Sequence, residues 1–164
     1  MVNLPMCSFT QFPGFPGIVA GICVFFVIWG LAAFQAGKGP FNMDAHEEKG
    51  AFEPLLSNYL DIAKFVLGIA SGSIVLLVGS STFHGDKGLP SDFASPLFVL
   101  ALCILYGVLF MFFLMYNYED YRHRKGPSTY SRFKYSRNTA LGLSGLACFC
   151  VGYAWLIVVV TGQH

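Results

Sequence analysis

"SPLFVLALCILYGVLFMFFLMYNYEDYRHRKG", residues 95–126, carries no charge from Ser95 to Tyr116, then turns acidic at Glu119-Asp120 and basic from Arg122 to Lys125. A helix needs about 20 residues to cross a hydrocarbon core of about 30 Å. The uncharged part is therefore long enough to span a bilayer, and the charged part reads as the same helix emerging from it. On a helix Glu119 reaches His123 and Asp120 reaches Arg124 at four-residue spacing, acid before base, which stabilises the emerging turn. Tyr116, Tyr118 and Tyr121 are the amphipathic rings that suit headgroup depth.

Three further stretches have the same character: 17–37, 62–83 and 139–162. The chain has 164 residues, of which 55% are hydrophobic and 12% charged, against about 25% charged in a soluble domain. What lies outside the four spans is too fragmented for a second core. The expectation is an all-α, polytopic membrane protein in which residues 1–164 form a single four-helix transmembrane domain. No Lys or Arg precedes the first span and no small-residue cleavage site follows it, so it reads as retained. The tract "FTQFPGFPG" before it is read as non-helical, with Phe9, Phe12 and Phe15 at the interface. Between the first two spans, "NMDAHEEKGAFEPLL" reads as a short surface helix ended by Gly50 or Pro54.

Sidedness follows from the basic residues. Lys38, Lys49, Lys64, Arg122, Arg124, Lys125, Arg132, Lys134 and Arg137 fall at one side of a four-span chain, and only Lys87 falls at the other. The positive-inside rule then puts both termini outside the cytoplasm, in a plasma membrane or a bacterial inner membrane. A net charge of +1 gives no reason to expect nucleic acid. The basic third loop is suited instead to anionic lipids of the inner leaflet.

Two patterns are candidates for function. At the cytoplasmic boundary Asn58, Asp61, Lys64, Asn117, Glu119, Asp120, Arg137 and Asn138 share one depth and form an expected polar collar, affordable there because long side chains can snorkel. Within the membrane, Asp61, Lys64, Gly68, Ser71, Gly72, Val75 and Gly79 project onto one stripe of the second helix, and Ala140, Ser144, Cys148 and Gly152 recur along the fourth. Gly17 and Gly21 make a shorter stripe in the first. Small residues at this spacing let helices approach closely. The four helices can use these seams on each other, or the second can pack against another chain or line a pore through Ser71, Ser73 and Ser80.

Familiar chemistry is missing from the sequence. Cys148 and Cys150 are two apart, on different sides of a helix, and there is no C-x-x-C. His46, His84, His123 and His164 lie outside the spans, so paired axial ligands for a haem are not offered. No zinc-protease, phosphate-loop or nucleophile-elbow motif occurs. No cofactor or metal is expected. The sequence reads as a small non-enzymatic membrane protein that self-associates as an oligomeric pore or membrane effector. An accessory subunit of a larger complex is the second reading, and a lipid-active enzyme using cytoplasmic-side carboxylates the third.

Overall fold

Four long apolar helices pack together: α1 (Phe15–Ala36), α2 (Phe52–Gly79), α3 (Ala94–His123) and α4 (Arg132–Thr161). The computed structural model describes residues 14–36, 42–43, 52–79, 90–123, 128–129 and 131–162. Each helix is long and apolar enough to cross a membrane. The helical form is dictated by the solvent, because a backbone in hydrocarbon must satisfy its own N–H and C=O groups.

The helix ends refine the expected boundaries. The Phe-Pro-Gly expected to stay non-helical is the first turn of α1, with Pro16 its second residue. Pro54 likewise lies in the first turn of α2 instead of ending a surface helix. Both cases have one cause, since the first backbone N–H groups of a helix have no intrahelical acceptor and proline loses nothing there. Residues 44–51, Phe9 and Phe12 lie outside the described residues. A 3-10 turn at Ser91–Phe93 leads into α3, and Pro96 occupies the first turn of that helix, where proline is tolerated.

Successive helices run in alternate directions. Antiparallel α3 and α4 form the centre, and glycines set how closely they meet. A Cβ on Gly145 would lie 3.7 Å from the Cys103 carbonyl oxygen, and one on Gly152 would lie 2.8 Å from a methyl of Leu100. Helix α1 fits against both: Gly17 abuts the Ser95 carbonyl, Gly21 faces Leu102, and the Phe25 ring stacks on Tyr106 at 5.5 Å. The Tyr106 hydroxyl donates to the Gly21 carbonyl at 3.2 Å, which satisfies a buried polar group inside the membrane.

Helix α2 lies mainly along α3. Its Leu67 side chain fills the gap left by Gly107, and Ala70 is fully buried. Tyr153 of α4 holds α2 as well, donating to the Ile69 carbonyl at 3.2 Å and accepting from the Ser73 hydroxyl. Ser73 is thus tied to the bundle through Tyr153, and Ser80 lies outside the described residues. The core contains Ala70, Val99, Cys103, Tyr106, Leu141 and Cys148. Phe26, Val27, Leu31, Leu76, Phe112, Ile157 and Val158 are exposed on the outside, where lipid is their solvent.

Two short strands complete the fold: β1 (Asn42–Met43) and β2 (Ser128–Thr129) pair antiparallel, Asn42 opposite Thr129 and Met43 opposite Ser128. They tie the first and third connections together at one end of the bundle. No pattern in the sequence announced this pairing, because two-residue strands are too short for an alternation to show.

Candidate functional site

The collar positions occupy the end of the bundle where α2 and α4 begin and α3 finishes, and they fall into two groups. On α2, Asn58, Asp61 and Lys64 are exposed. Lys64 pairs with Asp61 at 3.5 Å, three residues apart on one helix face. Neither makes a further ion pair among the described residues. On α3 and α4 the remaining five are arranged differently. Asn117 and Asn138 are buried, at 4% and 6% exposure, Arg137 is half-buried, and Glu119 and Asp120 lie further out.

Two ion pairs mark the α3/α4 end. Glu119 and His123 stand 3.5 Å apart at four-residue spacing, both exposed, as on an emerging helix. Asp120 pairs with Lys134 of α4, both side chains partly buried. The expected partner Arg124 lies outside the described residues, and Lys134 was not among the collar candidates. It is fourteen positions from Asp120, brought there only by the reversal of the third connection. Such a separation leaves no trace in helical periodicity.

Arg137 sits deeper than either pair. Its guanidinium lies over the Phe113 ring at 3.7 Å and faces Phe133 at 5.9 Å. A cation above an aromatic face gains electrostatic stabilisation, more so where water is excluded. Phe133 in turn meets Trp29 edge-on at 6.0 Å, so α1 closes over this corner.

The two long seams have opposite surroundings. Ala140, Ser144, Cys148 and Gly152 of α4 are all buried inside the bundle. Gly68, Ser71, Gly72, Val75 and Gly79 of α2 are all exposed. A Cβ placed on Gly68, Gly72 or Gly79 would meet nothing within 4 Å. Ser71 turns its hydroxyl back to the Leu67 carbonyl at 2.7 Å, leaving the stripe smooth. Helix α2 is thereby two-sided: Ala63, Val66, Leu67, Ala70 and Ile74 serve the bundle, and the glycine stripe faces outward.

Chemically, this arrangement offers a cation, two amides and two ion pairs at a membrane boundary. Among the described residues no three His, Cys, Asp or Glu side chains converge to hold a metal ion. No family model, curated protein or solved structure matches the chain.

Proposed function

We propose that this is a non-enzymatic membrane protein that acts as an assembly of its own copies, with α2 of one chain packed on α2 of the next. One observation carries the reading: the small-residue stripe of α2 has no partner within the described chain, whereas the stripe of α4 is spent on α3. Lipid gains little by covering a smooth helix face, but a second backbone gains close packing there. The charged end of the stripe is self-complementary. In a two-fold contact Asp61 of one copy meets Lys64 of the other, and the reverse pair forms at the same time.

The bundle axis is filled by apolar side chains, so a pore version of this assembly needs its path between chains, away from the close-packed α2 contact. A membrane effector built on the same contact needs no path. The direct test introduces Val75→Cys into a chain lacking its native cysteines and oxidises it in the membrane. Cross-linked pairs of this chain are expected; cross-linking only to a different membrane protein would make α2 the docking face of an accessory subunit.

The proposed setting is a plasma membrane with both termini outside and the basic third connection toward anionic inner-leaflet lipids. In sealed cells, single cysteines at Ser91 and Gln163 are expected to react with an impermeant reagent, and one at Ser128 to stay silent. Labelling of Ser128 alone would invert the topology.

A further inference from the structure

Arg137 is a charged group that the assembly does not use. The Phe113 ring lies 3.7 Å from the guanidinium carbon, but a ring face is at best a weak acceptor and does not replace the oxygen partners that guanidinium N–H donors take. Nε and Nη2 are buried, and neither has a hydrogen-bond partner among the described residues. These two nitrogens form one complete edge of the guanidinium, with parallel N–H bonds spaced to match two oxygens of a phosphate or carboxylate. Asp120 already pairs with Lys134, and Glu119 stands beside His123.

The geometry points to Arg137 as the binding site for the phosphate of an anionic phospholipid, held on the Nε–Nη2 edge between the ends of α3 and α4. The residue as a whole is only partly buried, so part of its side chain reaches the surface. Phe133, 58% exposed, is the neighbour that yields to admit a headgroup. Phe113 and Phe133 offer apolar surface to the glycerol and upper acyl chain, which a soluble anion would not use. A lipid is the chosen occupant because α3 and α4 are membrane-spanning helices and this is the level at which they leave the apolar region. The site deepens the reading of the third connection as lipid-facing, and it is independent of assembly through α2.

The test titrates detergent-solubilised protein with phosphatidylglycerol and counts bound lipid by native mass spectrometry. Phosphatidylcholine and inorganic phosphate are run as separate arms. One tightly held phosphatidylglycerol per chain is expected, with phosphatidylcholine weaker and phosphate unable to displace it. Arg137→Gln should weaken binding about tenfold or more, as loss of charge-assisted hydrogen bonds does. Arg132→Gln, at an exposed position of the same helix, should lose far less than Arg137→Gln, and Gly72→Leu should bind as wild type does, whatever its state of assembly. If Arg137→Gln does not fold, Arg137→Lys supplies the test: it keeps the charge but loses the two-pronged edge and should still bind more weakly. Unchanged binding by the Arg137 variants, an equal loss in Arg132→Gln, or displacement by phosphate would overturn the assignment.

Discussion

Gly152→Leu is expected to disrupt the bundle at its centre, with a cost of about 3 kcal/mol, the upper range for forcing extra atoms into a packed interior. A Cβ there would already stand 2.8 Å from the Leu100 side chain and 3.5 Å from the Leu100 backbone nitrogen. Leu100 is fully buried, so its side chain has no open space to rotate into. The only relief is separation of α3 from α4, which carries the rest of the fold with it. Thermal unfolding in detergent should show a large loss for Gly152→Leu. Gly72→Leu, where a Cβ meets nothing within 4 Å, should change the stability of the single chain by no more than about 0.5 kcal/mol. Equal losses would mean that the two glycines do not differ in surroundings as described.

That contrast also shows where the sequence stops being informative. The four spans were legible because hydrocarbon thickness sets a minimum apolar length and few other structures meet it. The direction in which each helix faces was not. In a soluble bundle an apolar stripe marks the core, but lipid and protein interior are both apolar, so the pattern around a membrane helix loses its contrast. Gly68-xxx-Gly72 and Ser144-xxx-Cys148 look alike as spacing. What separates them is Leu100, Cys103 and Gly107 of α3, which take up the stripe on α4 and the Leu67 side of α2.

The polar boundary was legible in depth and illegible in pairing. Charges at the ends of apolar runs announce the interface, and Glu119–His123 and Asp61–Lys64 follow directly from helix geometry. Asp120 instead found Lys134 across a chain reversal. Arg137 was recognisable as an interfacial cation, but its place over Phe113 depends on the register between α3 and α4, which no local rule fixes. Asn117 and Asn138 are buried in the same way. They read as surface polar residues until α3 and α4 are brought together.

Gly72→Leu carries the second large effect, and it acts between chains instead of within one. If two α2 helices meet along Gly68, Ser71, Gly72, Val75 and Gly79, a leucine at the centre holds the backbones apart. Association should weaken by about tenfold to a hundredfold, the equivalent of about 1–3 kcal/mol of misfit. The particle mass of purified protein in detergent, measured by light scattering with the detergent contribution subtracted, reads this directly. Wild type is predicted to run at a multiple of the single-chain mass and Gly72→Leu to fall to the single-chain value while keeping its helical content. A wild type at single-chain mass at every concentration, or a Gly72→Leu variant that keeps the wild-type mass, would contradict assembly through α2.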